Sequence, residues 1–364
     1  MRFGVWSFHL CASVALWLIP FCKMKIVFAG SPRFAIPTLQ RLAAEGHTIL
    51  AVITQPDRPS GREQQLQPSP VKEAALQLGL AIHQPEKIKS DAARALLQSL
   101  QPEAIVVVGY GQILPPWLLE LPRYGCVNLH GSLLPAYRGA APIQWAVVNG
   151  ETKTGLTTML MDPGMDTGPL LLQWETEIAP VETAIALSER MSQAGPGLMM
   201  ETLKGLESGN LVPRPQDNSR ASRAPLLHKE DGLIDWKRPA GEIFNRVRGF
   251  LPWPGAFTGY RAKKLQIWRA KPEAGDRSQE SEVRSQNQSR DPRHAGADRE
   301  GAVIEPDDVR LPGQLLVSGD DLRVACGGGT SLQLLEVQLE GKRRLSAADF
   351  IRGAHPRTDE KLES

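Results

Sequence analysis

The chain has 364 residues, enough for two domains with buried cores, and its 42 Lys and Arg nearly balance 40 Asp and Glu, leaving a formal charge of +2. That balance excludes a wholesale polyanion binder but leaves room for a local basic patch, and 41% hydrophobic with 23% charged residues is the composition of a soluble globular protein. Four dispersed cysteines (Cys11, Cys22, Cys126, Cys326) and seven scattered histidines, with no CxxC, HxxxH or HExxH spacing, speak against a disulfide framework and a structural zinc site.

Residues 1–23 are strongly apolar after Arg2 and have the character of a secretory leader, with the small residues Ala12 and Ser13. Met24 is followed at once by KIVFAGSPRFA, which reads as the first strand and turn of an α/β domain. Translation is therefore expected to start at Met24, in preference to a genuine targeting segment, and the protein is expected in the cytoplasm. A transmembrane anchor is the weakest reading, because Ser7, His9, Ser13 and Pro20 interrupt a barely sufficient span.

From Lys25 to Leu206, short β-branched runs alternate with helical patterns. A strand is predicted over Ile26–Ala29, a helix over Pro32–Glu45 closed by Gly46, and a strand over Ile49–Thr54. Helices follow over Pro70–Leu78 and Ser90–Leu100, the latter capped by Ser90. Ala104–Val108 (AIVVV) is the most apolar strand and hence central; then come a strand at Cys126–His130, a helix at Pro142–Val148 and a strand at Gly155–Met161. This rhythm predicts an α/β domain over 24–206, with a Rossmann-like, open, mostly parallel twisted sheet and helices on both faces. Residues 207–228, rich in Ser, Asn, Pro and Arg, read as a linker. Over 229–355 the runs KLQIW, GQLLV, LRVAC and SLQLLEV, spaced by Gly and Asp turns, predict a small C-terminal β-barrel that is OB-like. The polar tract 272–308 within it lacks the aliphatic residues to offset the entropy of ordering, and is expected to be a disordered insertion.

The turn after the first strand has Pro32 and Ala35 where a dinucleotide fingerprint needs Gly, which argues against NAD. The G-x-x-x-x-G-K-[ST] phosphate loop is absent, and Gly327-Gly328-Gly329 reads as a hairpin turn. The densest cluster is NLHGSLLPAYRGAAPIQ, Asn128 to Gln144. Asn128 and His130, two apart on a strand, project to one side at the sheet's carboxyl edge, where ligands of such sheets bind. An amide donor and an imidazole converging there can hold an oxyanion and move a proton. His130 on its own would read as a plain strand-end histidine; Gly131, the apolar Leu133-Leu134-Pro135 and the Arg138-Gly139 loop shift the reading toward a site.

The run MDPGMDTG, Met161 to Gly168, adds Asp162 and Asp166. One carboxylate aimed at His130 would fix its tautomer, whereas Asp162 fits a turn; a metal is disfavoured with no His or Glu in the loop. The loop Gln55–Lys72 is long and rich in Pro, Gly and Arg, as lids are, and offers Arg58, Arg62 and Lys72 to an acidic partner, with a plain solvated surface loop as the equal alternative. Finally, Phe244–Lys271 holds Arg246, Arg248, Arg261, Lys263, Lys264, Arg269 and Lys271 without one acidic residue. Interleaved with Phe250, Trp253, Phe257, Tyr260 and Trp268, these charges are the footprint of an RNA surface, although the aromatics alone read as core. Lys342-Arg343-Arg344 would extend the same face.

VNLHGSLLPAYRGAAPIQ, with MDPGMDTG downstream and QPDRPSGR…PSPVK upstream, resembles the formyltransferase family that uses 10-formyltetrahydrofolate. GAAPIQ, the long Arg-bearing loop and the trailing β-domain with DGLIDW (Asp231–Trp236) are similar to its branch acting on methionyl-tRNA. The likeness spans Met24 to Asp349 apart from the polar insertion. It implies Asn128, His130 and Asp166 as the catalytic trio, Ser132, Leu133, Leu134 and Pro135 as the lining of the folate site, and Arg62 near the tRNA acceptor end. It further implies 10-formyltetrahydrofolate as co-substrate, methionyl-initiator tRNA as acceptor in translation initiation, no metal, no membrane and a monomeric chain. One departure is visible: after Gly61-Arg62, where family members carry a basic pair, this chain has Glu63-Gln64-Gln65. That moves RNA binding toward Arg246, Arg248, Lys263 and Lys264. Two rivals remain: a small-molecule formyltransferase or formyl-folate hydrolase with no need of the basic stretch, and an RNA-binding module without catalysis.

Overall fold

The computed structural model describes residues 23–60, 65–273 and 310–363. Residues 1–22, Arg62 with its neighbours Glu63 and Gln64, and all of the polar tract beyond Glu273 lie outside the described residues.

The first domain contains β1 (Lys25–Gly30), β2 (Thr48–Ile53), a short hairpin of β3 (Arg58–Ser60) and β4 (Gln65–Gln67), β5 (Ile82–His83), β6 (Ala104–Val108), β7 (Cys126–His130), β8 (Lys153–Leu160) and β9 (Leu170–Glu177). Seven of these strands form one sheet in the order β5-β2-β1-β6-β7-β8-β9. Pairing is parallel from β5 to β7, and β8 and β9 join antiparallel. The helices are α1 (Ile36–Ala44), α2 (Pro70–Gln77), α3 (Asp91–Leu100), α4 (Pro116–Leu119), α5 (Pro142–Val148) and α6 (Ala184–Glu207).

Side-chain alternation divides the core into two layers. Phe28, Val106, Val127 and Leu129 face Leu39, Met191 and Met199, while Ile105, Val107 and Cys126 face Leu97 and Leu118. Every residue of β6 is buried, as a strand covered on both faces requires. Chain order runs one way from β1 through β2 to β5 and the other way from β6 to β7, so a ligand crevice opens at the strands' carboxyl ends. α6 has no counterpart among the sequence-predicted helices, because Gly195-Pro196-Gly197 interrupts its helical pattern. Gly195 serves contact instead: a Cβ there would stand 2.7 Å from Leu129 Cδ2, so only a bare backbone lets α6 lie this close to β7.

The second domain opens with α7 (Ala240–Gly249), then β10 (Ala256–Tyr260), β11 (Lys263–Glu273), β12 (Leu315–Ser318), β13 (Asp321–Ala325), β14 (Ser331–Leu339), β15 (Leu345–Ser346) and α8 (Ala347–Ala354). Its antiparallel sheet runs β10-β11-β14-β13-β12, with β15 paired to β14. The C-terminal segment bridges the two sides of that sheet through Gly259 with Glu363 and Gln314 with Lys361, giving a barrel-like closure. Trp236, Ile243, Tyr260, Leu265, Val324, Leu334 and Phe350 fill its core. The domains meet where α7 lies on α5, with Trp145 and Phe250 edge to face at 5.7 Å between centroids. No helix among the described residues is long and apolar enough to cross a membrane.

Candidate active site

The site is built on β7, whose five residues are all buried. Asn128 and His130 share one side of the strand and are only 8% and 6% exposed. His130 Nε2 lies 2.9 Å from the Tyr137 carbonyl oxygen, which can only accept, so this nitrogen carries a proton. Its Nδ1 faces Asp166 Oδ2 at 3.6 Å. With Nε2 already donating, Nδ1 can donate toward that carboxylate only when the ring is an imidazolium. Among the described residues, no protein group hydrogen-bonds the Asn128 side chain, so its amide protons stay available to a ligand.

Two loops converge on this strand end. In Met161–Gly168, Asp162 closes a local turn by accepting from Gly164 N–H at 3.1 Å and from the Thr167 hydroxyl at 2.7 Å, so it acts structurally. Asp166 adopts φ +54, a left-handed conformation that Asp tolerates better than most residues, and its Oδ2 accepts from Gly139 N–H at 2.8 Å. Gly139 itself has φ +127, and a Cβ there would meet the Ala224 carbonyl oxygen at 2.4 Å. Tyr137, also left-handed at φ 62, is anchored by its hydroxyl to Glu151 at 2.6 Å.

Of the four residues assigned to the folate segment, two point inward. Ser132 donates to Ala136 O at 2.6 Å, its own carbonyl accepts from the Thr157 hydroxyl at 2.6 Å, and Leu134 packs in a cluster with Met159 and Leu170. Leu133 and Pro135 remain half-exposed. The segment is thus a hydrogen-bonded shelf pinned to β8, with its apolar upper residues left for contact. The loop after β6, adjacent in the sheet, presents Ile113 at 79% exposure; its residue types carry no chemical signal that marks it in the sequence.

In the upstream loop, Lys72 is engaged internally, its Nζ 2.6 Å from Asp57 Oδ2. Hydrogen bonds from Lys72 and Gln84 hold the Asp57 carboxyl below the ordinary value. Arg62 lies outside the described residues.

The basic stretch of the second domain separates into inner and outer charges. Arg248 is 6% exposed, donating from Nε to Asn245 Oδ1 and from Nη1 to the Glu182 carbonyl of the first domain, both at 2.9 Å. Burial pushes its pKa down, and its place is the domain interface rather than an open RNA surface. Arg246 is half-buried, over the Phe250 ring and donating to Asp231 O at 3.2 Å. Arg261 is paired with Glu360 and Arg269 with Glu336. Lys263 is exposed, and Lys264 has its Nζ 4.1 Å from the Phe257 ring centroid. Burial and then the nearby charge of Lys229 lower the pKa of Lys264, which with Lys263 opens β11 at one end of the sheet. Glu340 N–H donates to Lys264 O at 2.8 Å, which brings the turn bearing Lys342 to the same end.

The comparisons assign this fold and crevice to a class, the formyl-transferring enzymes. The profile of the family described as formyl transferase matches residues 24–203, and that of its C-terminal domain matches 226–355. The methionyl-tRNA formyltransferase of Koribacter versatilis is 47% identical over 340 residues, covering 93% of this chain and 98% of that protein. That of Acidobacterium capsulatum is 48% identical over 331 residues, covering 91% and 96%. Among solved structures, an N-formyltransferase from Helicobacter canadensis, in complex with folinic acid and dTDP-3-aminofucose, shares the fold with TM-score 0.57 at 15% identity, covering 86% of this chain and 99% of that one. The sugar 3N-formyl transferase WlaRD does so with TM-score 0.58 at 17% identity, covering 88% and 100%. This chain belongs to the methionyl-tRNA formyltransferase family.

Proposed function

We propose that this chain transfers the formyl group of 10-formyltetrahydrofolate to the α-amino group of methionyl-initiator tRNA, in the cytoplasm and as a monomer. The observation that supports this most is the Asn128 amide, near-buried and, among the described residues, without a protein partner, on the same side of β7 as His130, which faces Asp166. The neutral amine attacks the formyl carbon, forming a C–N bond while the carbonyl becomes an oxyanion. Collapse breaks the bond to N10 of the folate, and the proton lost by the amine is returned to N10. Asn128 donates to the oxyanion, and His130 as an imidazolium adds positive charge beside it. Asp166 orients His130. Removing one such oxyanion donor raises a barrier by about 3–4 kcal/mol. Leu133 and Pro135 offer the folate an apolar wall above the Ser132 shelf.

For the acceptor, Lys229, Lys263, Lys264 and Lys342 supply a cationic end suited to RNA phosphates, a feature that a small amine substrate does not call for. Arg246 lies partly open, whereas Arg248 is committed to the domain contact. Supplying labelled 10-formyltetrahydrofolate with charged initiator tRNA, uncharged tRNA and free methionine tests the reading. Label should pass only to the charged initiator; formate released without acceptor would instead establish a hydrolase, and an inert chain would leave the RNA-binding module. The Lys263→Glu/Lys264→Glu double variant should weaken tRNA binding and reduce the slope of log K against log salt by about 2. An unchanged slope removes these lysines from the interface.

A further inference from the structure

Residues 207–228 join the two domains, and they also cross both loops that hold the catalytic cluster. Arg214 pairs with Leu170 just beyond the Asp166 loop, while Ser222, Arg223 and Ala224 pair along Arg138 and Ala141. Between these anchors lies Gln216. Its Nε2 donates to the carbonyls of Asp166 at 2.8 Å and Gly168 at 2.7 Å, and its Oε1 accepts from Arg138 Nε at 3.1 Å and Nη2 at 2.7 Å.

We propose that Gln216 is a positioning residue for the reaction: from the interdomain segment, its side-chain amide holds Asp166 against His130. The orientation of that amide is unambiguous, because a guanidinium only donates and a main-chain carbonyl only accepts. Gln216 grips Asp166 at its own carbonyl and two residues later, across a stretch that begins with a left-handed φ of +54. That stretch is seated tightly, since a Cβ on Gly168 would fall 1.9 Å from Leu160 O. The other end of the amide fixes Arg138, whose neighbour Gly139 gives its N–H to Asp166 Oδ2 at 2.8 Å. A closed circuit results: Gln216 to Arg138, along the chain to Gly139, across to the Asp166 carboxylate, and back through the Asp166 carbonyl. The charged groups facing it are Arg138 and Asp166, with the His130 ring across from the Asp166 carboxylate. Because the same segment leads into α7, the placement of Asp166 is tied to the seating of the second domain.

The kinetic half of the test rests on the formyl-transfer reading; the spectroscopic half does not. Gln216→Glu keeps the size of the side chain and an acceptor for Arg138 but removes both donors, and Gln216→Ala removes the whole amide. In the full chain, both should lower kcat by about 10- to 100-fold, with less than about a twofold change in KM for the formyl donor. Combined with Asp166→Asn, neither should add a further loss, as expected of groups that act through one another. Labelling with carbonyl-13C arginine and 15N glycine selects the three Arg–Gly amides of the sequence, Gly139, Gly249 and Gly353. The Gly139 amide should shift in both variants while Gly249 and Gly353 hold their positions. Unchanged kcat with an unmoved Gly139 amide overturns the proposal. So does a loss that multiplies that of Asp166→Asn, or three amides moving together, the mark of general loosening. If the wild-type chain transfers no formyl group, the functional reading fails and the Gly139 amide alone decides the role of Gln216.

Discussion

Asn128→Ala separates catalysis from stability more sharply than any other substitution in the site. The Asn128 side chain is 8% exposed and, among the described residues, hydrogen-bonds no protein group. Its polar atoms are not among the buried atoms left without a partner, so they keep some contact with water; truncation relieves only this partial desolvation while losing some packing around β7. The two effects oppose, so net stability should change by no more than about 1 kcal/mol, a Tm shift within about 4 °C for a domain of this size. Catalysis has no such compensation. Losing an oxyanion donor raises the barrier by about 2.7–4 kcal/mol, so kcat should fall about 100- to 1000-fold. Single-turnover transfer from labelled 10-formyltetrahydrofolate to methionyl-tRNA measures the first quantity, and calorimetry on the same preparation the second. Asn128→Asp, similar in size but placing a carboxylate beside the developing charge, should lose more activity than Asn128→Ala. Activity within threefold of the parent, or a loss tracked by a collapse in Tm, would refute the reasoning.

Arg248→Met should destabilise the chain by about 1.5–3 kcal/mol, because a charged donor to the Glu182 carbonyl is lost, while the salt dependence of tRNA binding stays as in the parent; a flattened salt slope would return Arg248 to the RNA surface. Lys72→Met tests the Asp57 contact through pH. The Asp57 carboxyl is held below its ordinary value, so its contribution is present above the unfolded carboxylate pKa and is lost as pH falls through the folded value. The Tm difference between parent and Lys72→Met should therefore be full at pH 7 and shrink below about pH 4; a difference independent of pH contradicts it. Burial pushes the Cys126 and Cys326 thiols up to about 12, so iodoacetamide at pH 8 should leave both peptides unlabelled in the native chain and label them in guanidinium. Native labelling at the rate of a free thiol would show that these positions open.

The parts of the site legible in the sequence are those that depend on local geometry. Strand parity places Asn128 and His130 on one side of β7 whatever surrounds them, and the apolar run Ala104–Val108 marks the strand beside which they end. Charge on the second domain is different, since a count of cations says nothing about the face each one occupies. Arg246 and Arg248 read alike in the sequence, yet on α7 they lie two positions apart on a helix packed on two sides. That rotation turns Arg248 toward the first domain and leaves Arg246 partly open. Composition is silent in another way at 207–228, where Ser, Asn, Pro and Arg signal a linker but not the ordered path it takes. The order of that segment comes from backbone pairing with loops distant in sequence, and from one glutamine whose partners, Asp166, Gly168 and Arg138, lie 48 to 78 positions away. The same holds for the carbonyl of Tyr137 and the amide of Gly139, main-chain groups whose roles no side-chain type announces. The chemistry of the crevice thus sits on a regular strand, while its alignment rests on contacts of high sequence separation. Substitutions in the connecting segment should accordingly alter turnover without touching a reacting atom.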